Sequence, residues 1–120
     1  MKFMDPYKWK YRLVAGVVED PDQLERLKKN IEAEPEGIKD RRLGFLILHG
    51  KEAWIHNLPE HQREPGWEVE MRARIKGDSL VLIGLDGGVK ARYLASRFRL
   101  EEVFREIDSM PMRRSELEKR

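Results

Sequence analysis

The stretch Leu80–Arg114, LVLIGLDGGVKARYLASRFRLEEVFREIDSMPMRR, decides the fold of this chain. Its first part, Leu80–Leu85, is a short apolar run of the kind that forms a buried strand. Asp86–Gly88 then predicts a tight turn, because glycine adopts positive φ at little cost. Val89–Leu94 is a second short run, so the sequence predicts an antiparallel hairpin.

The second part of this stretch predicts a helix. Apolar residues recur at positions i, i+3, i+4, i+7 and i+10, which places them on one helical face, and Pro111 prevents continuation. These residues are Leu100, Val103, Phe104, Ile107 and Met110. We therefore expect a helix that closes one side of the sheet.

The N-terminal half predicts a strand, a helix and a parallel strand. Leu13–Val18 is a continuous apolar run, and Asp20–Gln23 follows with a capping residue and a proline at the first helical position. Apolar residues continue at helical spacing to Ile31, and Leu43–Leu48 is a second buried run. This order is typical of a parallel crossover in an α/β domain.

The middle of the chain is ambiguous. His49–Gly66 contains two prolines and two glycines and predicts a long irregular loop. Between Trp67 and Ile75, apolar residues alternate with charged ones, which is strand periodicity. A helix would place only Trp67, Met71 and Ile75 on one face, so the pattern alone favours a strand.

Composition excludes several classes of function. The 120 residues suit one domain, and 24 basic against 22 acidic residues give a net charge of +2, a balance that disfavours a nucleic-acid partner. The absence of cysteine removes disulfides and thiolate chemistry. No apolar run approaches a membrane span, so we expect a soluble protein, cytoplasmic if Met1 is the native start and exported if a leader was removed.

The hairpin and the block after the last helix resemble a known family. VLIGLDGGVK at 81–90 and IDSMPMRR at 107–114 are similar to the domain-of-unknown-function family 4174, from about Lys10 to Glu118. The resemblance implies a thioredoxin- or peroxiredoxin-like domain that also occurs in sushi-repeat-containing and coiled-coil-domain extracellular matrix proteins. It further implies that Met71–Lys76 is the end of a helix, and we favour this implication over the strand pattern.

The fold class expected from the residues and the resemblance together is α/β. It is a single thioredoxin-like domain, β-α-β-α-β-β-α, with a mixed central sheet, an antiparallel C-terminal hairpin and a closing helix. Residues 11–112 form the domain, 1–10 an N-terminal extension, and 113–120 a charged tail that frays.

The chain departs from redox-active relatives at both parts of their site. The resemblance implies a cysteine loop at the start of the first helix, but Glu19–Gln23 stands there. It also implies a cis-proline before the third strand, where this chain has Lys76–Ser79. Because disulfide exchange needs a thiolate, a thiol oxidoreductase is excluded.

Other catalytic or metal sites have little support in the sequence. His49, His56 and His61 do not have the spacing of a standard metal site, and no serine lies in a nucleophile elbow. We therefore expect no catalytic residue, no metal and no cofactor. The residues that remain as candidates for binding are Asp20, Asp22, Ser79, Trp54 and Trp67.

The residues that carry the resemblance have a structural interpretation. An arginine beyond Pro111 can turn back to pair with Asp108, with two methionines packed beneath. The full set predicted to be structural is Asp86, Gly87, Gly88, Asp108, Met110, Pro111, Met112, Arg113 and Arg114.

Three functions stay open at this point. The first is a non-enzymatic module that binds another protein, or itself, or is purely structural. The second is an enzyme with non-thiol chemistry around Asp20, Asp22, Ser79 and the His49–His61 loop. The third is a weak binder of nucleic acid or of an acidic partner, suggested by the arginines of the C-terminal third.

Overall fold

The computed structural model describes residues 1–60 and 63–119 of the chain. The fold of these residues contains one mixed sheet, in which some neighbouring strands are not consecutive in the sequence. The strands are β1 (Arg12–Val17), β2 (Leu43–His49), β3 (Glu52–His56), β4 (Ser79–Ile83) and β5 (Val89–Leu94), arranged β3-β2-β1-β4-β5. β1 and β2 are parallel, and the other neighbouring pairs are antiparallel. The expected α/β class, with a mixed sheet and a C-terminal hairpin, is confirmed.

Five α-helices connect or flank the strands within the described ranges. They are α1 (Pro21–Glu32), α2 (Pro35–Asp40), α3 (Trp67–Arg74), α4 (Leu100–Asp108) and α5 (Pro111–Glu118), with short 3-10 helices at Lys2–Tyr7 and Ala95–Arg97. Three of the α-helices begin with proline, which suits the first helical position because its missing N–H has no helical acceptor there. The longest, α1, has 12 residues, and none of the described helices combines the length and apolarity needed to traverse a bilayer.

Each face of the sheet carries its own apolar cluster. Val14 of β1 points to the side covered by α1, α2 and α4, where Leu27, Ile38 and Val103 are buried against it. Leu13 and its alternating neighbours point to the other side, which is covered by α3 and the N-terminal 3-10 helix. Both faces of the central strands are therefore buried, and this explains their unbroken apolar runs. The arrangement is compatible with a single thioredoxin-like domain.

The segment predicted as a long irregular loop contains a strand. Glu52–His56 pairs antiparallel with β2, so Trp54 lies opposite Ile47. β3 is an edge strand with no fully buried residue, and its sequence therefore lacks the apolar run that marked the central strands.

The strand suggested by pattern at 67–75 is wrong, and the helix implied by the resemblance is correct. In α3, Met71 is fully buried with Ile75 just beyond it, whereas Val69 is 74% exposed. The alternation arose because Val69 and Ala73 are solvent-facing apolar residues on a short helix.

Both termini form more structure than the sequence indicated. Phe3, Met4 and Tyr7 are buried in the core on the α3 side, although residues 1–10 were expected to be an extension. The main-chain N–H groups of Lys2 and Phe3 donate to the carboxylate of Glu70, at 2.7 and 2.6 Å, which fixes this segment to α3. At the other end, α5 occupies most of the expected tail.

Candidate functional site

The two segments where the resemblance implied a redox site, Glu19–Gln23 and Lys76–Ser79, lie in contact. The main-chain N–H of Glu19 donates to Oδ1 of Asp78 at 3.0 Å. Gly16 permits this close approach, because a Cβ at that position would lie 2.1 Å from the carbonyl oxygen of Ser79. Where the resemblance implied that redox-active relatives carry a cysteine loop and a cis-proline, a carboxylate of this chain binds the main chain, and no cis peptide bond occurs in the described ranges.

The polar candidates in this region are engaged by the main chain around them. Oδ1 of Asp20 accepts from the N–H of Asp22 at 3.0 Å and caps the N-terminus of α1. The hydroxyl of Ser79 donates to the carbonyl oxygen of Lys76 at 2.8 Å. The structure therefore brings Asp20, Asp22 and Ser79 to one end of the sheet, where the side chains of Asp20 and Ser79 make local structural contacts and Asp22 contributes its main-chain N–H.

The histidines of the middle segment do not converge. Nδ1 of His49 lies 2.9 Å from the carbonyl oxygen of Val18, and His56 stacks on Trp54 with ring centroids 5.0 Å apart. His61 lies outside the described residues. Within residues 1–60 and 63–119, no group of three or more acidic, histidine or cysteine side chains could hold a metal.

Both candidate tryptophans pack against the body of the protein. Trp54 is half-buried on β3, tilted against Phe45 with the ammonium of Lys28 5.9 Å from its ring centroid. Trp67 begins α3 and packs against the core on that side, with the guanidinium of Arg63 5.9 Å from its ring. Both cover parts of the core, while Trp9, not among the candidates, is 59% exposed.

The hairpin turn is held by one carboxylate. Asp86 accepts from the N–H of Gly88 at 2.9 Å and from the ammonium of Lys90 at 3.0 Å, and Gly87 has φ of 84°. The hydrogen bond from Gly88 and the contact with Lys90 lower the pKa of Asp86 below its ordinary value. This turn therefore needs both the carboxylate and a glycine at 87.

A buried arginine joins the last helix to the rest of the domain. Arg113 is 2% exposed, and its Nε donates to Oδ1 of Asp108 at 3.2 Å. Its other nitrogens donate to the carbonyl oxygen of Asp40 at 3.0 Å and to Oδ2 of Asp40 at 2.6 Å. Arg41 completes the pairing by binding both oxygens of Asp108, at 3.0 and 2.8 Å. Arg114, in contrast, is exposed.

Glu116 extends the contacts of Arg113 and Arg41 into a larger set of paired arginines and carboxylates, which we call the arginine–carboxylate network. Its Oε1 accepts from Arg12 at 3.2 Å, and its Oε2 accepts from Arg42. Burial alone would raise the pKa values of Asp108 and Glu116, but the arginines facing them lower both below their ordinary values. The network therefore ties β1, α2, α4 and α5 together through ionised groups.

Sequence reasoning missed most of this network. Only the partnership of Asp108 with an arginine beyond Pro111 was expected, because it is local in sequence. Arg12, Asp40, Arg41, Arg42 and Glu116 pair with residues that are far away along the chain. The one available signal was Arg12, a cation directly before the apolar run of β1.

An open groove follows edge strand β5 on the side of α3. We call it the β5 groove, and its volume is about 470 Å³. Three cations, Arg74, Lys76 and Arg92, lie along it, and Leu94 is 59% exposed there. None of the described residues that line it carries a carboxylate, although Oε2 of Glu70 lies 4.0 Å from Nε of Arg74 behind it. The rest of its lining is Ser79, Val81 and Tyr93.

Comparisons with known proteins identify the family and nothing more specific. No curated protein and no solved structure matches the chain. A family model described as "Domain of unknown function (DUF4174)" matches residues 3–116, which include the buried N-terminal segment, the hairpin turn and the arginine–carboxylate network. The chain therefore belongs to the DUF4174 family.

Proposed function

We propose that this chain is a non-enzymatic protein-binding domain whose β5 groove takes an extended acidic segment of another protein. The observation that carries the proposal is the lining of the groove. Arg74, Lys76 and Arg92 lie there with an exposed leucine and without a carboxylate, on an edge strand. In a chain with nearly balanced charge, such a local excess of cations favours an anionic partner.

The edge position of β5 suits an extended partner. β5 pairs with β4 on one side only, because it stands last in the sheet order. A peptide can add to such an edge through main-chain hydrogen bonds, with specificity from alternate side chains. The exposed positions along β5 are Lys90, Arg92 and Leu94. Lys90 pairs with Asp86, so Arg92 is the cation of β5 that acidic side chains on an added strand would face.

The same cations argue against pairing between two copies at this edge. Basic side chains on an edge strand repel an identical strand, which is one way that proteins prevent edge-to-edge association. The cations that line the groove on one copy would approach those of the other copy. The proposal is therefore an acidic segment of a different protein.

Nucleic acid fits this surface less well than an acidic peptide. Stacking of bases needs exposed aromatic faces, whereas Tyr93 is half-buried, with its ring edge-on to Phe98 at 5.5 Å. Burial together with the nearby charges of Glu106 and Glu102 raises the pKa of Tyr93, whose ring packs against the core cluster on the side of α4. The described residues that line the groove therefore offer no exposed aromatic ring on which a base could stack.

The lack of a thiol where the resemblance implied a redox site supports a role without catalysis. The sequence contains no cysteine, and Asp78 and Asp20 bind main-chain N–H groups. Purified protein should therefore give no turnover in disulfide-reductase and peroxidase assays. Turnover that persists in protein free of contaminating activity would contradict a non-enzymatic role.

Binding of designed peptides tests the proposal directly. The probes are fluorescein-labelled peptides of about six residues, the usual strand length, that alternate threonine with glutamate, glutamine or lysine. We expect saturable fluorescence anisotropy only with the glutamate peptide. Its affinity should fall as salt is raised, because exposed ion pairs are screened.

Charge reversal locates the binding surface. Arg92→Glu should weaken the glutamate peptide about tenfold, since it replaces a favourable contact by a repulsive one. Lys51→Glu, an identical change in charge in the exposed turn before β3, is the matched control and should leave the affinity unchanged. Equal weakening by both variants, or tighter binding of single-stranded DNA than of the peptide, would contradict the proposal.

A further inference from the structure

A second concave site lies at the other end of the β4–β5 hairpin, beside the turn. It is a cavity of about 280 Å³ between the hairpin and the junction of α4 with α5. Apolar side chains dominate its wall, chiefly Leu85, Met110 and Met112. Arg12 also lines it, and Asp86 and Lys90 lie at its edge as an ion pair of 3.0 Å.

Arg12 is fully buried but only partly satisfied. Its Nη1 donates to the carbonyl oxygen of Arg41 at 2.9 Å and to Glu116 at 3.2 Å. Its Nε and Nη2 are buried and have no hydrogen-bond partner among residues 1–60 and 63–119. Buried donors of a charged group are costly to leave unpaired, so an acceptor that reached these two atoms would be bound favourably. Burial lowers the pKa of Arg12, and Glu116 offsets this effect only in part.

The N-terminus of α5 meets the same cavity without a cap. Met110 stands at the N-cap position and provides no side-chain hydrogen bond, and the first turn of α5 contains no acidic residue. Free N–H groups and the helix dipole make such an end favourable for an anion. Two features therefore meet at one apolar cavity: a buried arginine with two unpaired donors is among the residues that line it, and the uncapped end of α5 borders it.

We propose that this cavity binds a small organic anion, a carboxylate with a short apolar chain. The carboxylate interacts with Arg12 and the N-terminus of α5, and the chain packs on Leu85, Met110 and Met112. Guanidinium donors match the geometry of a carboxylate and pair with it strongly. The negative charge of Asp86 does not oppose this, because Lys90 already pairs with it. This site is separate from the β5 groove and does not depend on its function.

The size of the cavity sets the size of the ligand. A volume of about 280 Å³ is some nine times the ~30 Å³ occupied by a water molecule in the liquid, which corresponds to roughly eight or nine non-hydrogen atoms. Hexanoate has this size, so it is the probe. For a ligand this small in a fitting site, we expect a dissociation constant of about 1 mM or lower.

The experiment follows the Met110 methyl resonance of methyl-labelled protein during titration with hexanoate. Hexanamide, which has the same shape without the charge, is the matched probe. We expect saturable shifts with hexanoate and at least about tenfold weaker binding of hexanamide, because the amide cannot form charged hydrogen bonds with Arg12. Equal binding of both probes, or no saturation with hexanoate by about 10 mM, would overturn the proposal.

Two variants at Met112 test the charge at the site without touching Arg12. Met112 is 40% exposed in the first turn of α5, where an aspartate suits the helix dipole, so Met112→Asp is expected to fold. Its carboxylate would compete with the ligand, and hexanoate should bind at least about tenfold more weakly than to Met112→Asn. Equal affinities of the two variants would show that the site does not select an anion.

Discussion

Nη2 of Arg113 lies 2.6 Å from Oδ2 of Asp40, and this contact joins α5 to the C-terminal end of α2 across 73 positions of sequence. Arg113 is almost fully buried, and it also pairs with Asp108 at the end of α4. One side chain thus connects three helices. The block after Pro111 is therefore integral to the fold of the domain.

Replacing Arg113 should reveal this role. Arg113→Met removes the cation that pairs with the carboxylates of Asp40 and Asp108, so we expect the free energy of unfolding to fall. The loss should be only about 2 kcal/mol, because both carboxylates still reach solvent. The neighbouring Arg114→Met removes the same charge from an exposed side chain and should change stability by less than about 0.5 kcal/mol. Urea unfolding measures both, and equal effects would contradict the assignment.

Acid should destabilise the protein through the same network. The pKa values of Asp108 and Glu116 are lower in the folded state than in the unfolded chain, where they are about 4. The unfolded state therefore binds more protons in this range, so the stabilisation is present above about pH 4 and is lost as the pH falls through the folded-state pKa values.

The variant Asp108→Asn isolates one of these groups. It cannot ionise, so its unfolding free energy should be lower than that of the wild type at neutral pH but should fall less steeply between about pH 5 and pH 2. Urea unfolding at a series of pH values measures both slopes. A slope in Asp108→Asn as steep as in the wild type would mean that Asp108 contributes nothing to acid sensitivity.

Asp20 and Asp78, which lie where the resemblance implied a redox site, should prove to have structural roles. Asp20→Ala removes the cap of α1 and should cost about 1 kcal/mol, while Asp20→Asn, which keeps an acceptor, should be nearly neutral. Asp78→Ala should likewise cost about 1 kcal/mol, because the N–H of Glu19 loses its acceptor. Thermal unfolding measures these changes. If either alanine variant were instead more stable than the wild type, that carboxylate would lower the stability of the fold. This result would contradict a structural role and would point to a functional one.

The close approach of Gly16 to Ser79 predicts a strong steric effect. In Gly16→Ala the new Cβ would overlap a backbone oxygen, so we expect a loss of about 3 kcal/mol or more, or failure to fold. Gly50→Ala is a suitable comparison, because its Cβ meets nothing within 4 Å and its positive φ alone should cost about 1 kcal/mol. Similar losses in the two variants would contradict this packing.

The parts of the fold that were predictable from sequence are those encoded locally. Central strands buried on both faces appear as apolar runs, and α1 carries its own cap at Asp20. β3 was missed because an edge strand needs no apolar run, and α3 was ambiguous because Val69 is exposed yet apolar. In each case, the decisive interaction was tertiary.

The same distinction applies to the candidate sites. The pairing of Asp108 with an arginine beyond Pro111 could be anticipated, since five positions separate Asp108 from Arg113. The β5 groove could not, because Arg74 and Lys76 meet Arg92 only after β4 and β5 have paired. The unpaired donors of Arg12 could not be predicted either, because they are buried by residues that are far away along the chain.

The most direct test of the proposed protein-binding function is amide hydrogen exchange with and without the alternating glutamate peptide. If the peptide adds to the sheet along the β5 groove, exchange should slow at main-chain N–H groups of Val89–Leu94 and should stay unchanged in the opposite edge strand, Glu52–His56. Protection at β3, protection spread evenly over the sheet, or no protection at β5 at a saturating peptide concentration would contradict the account.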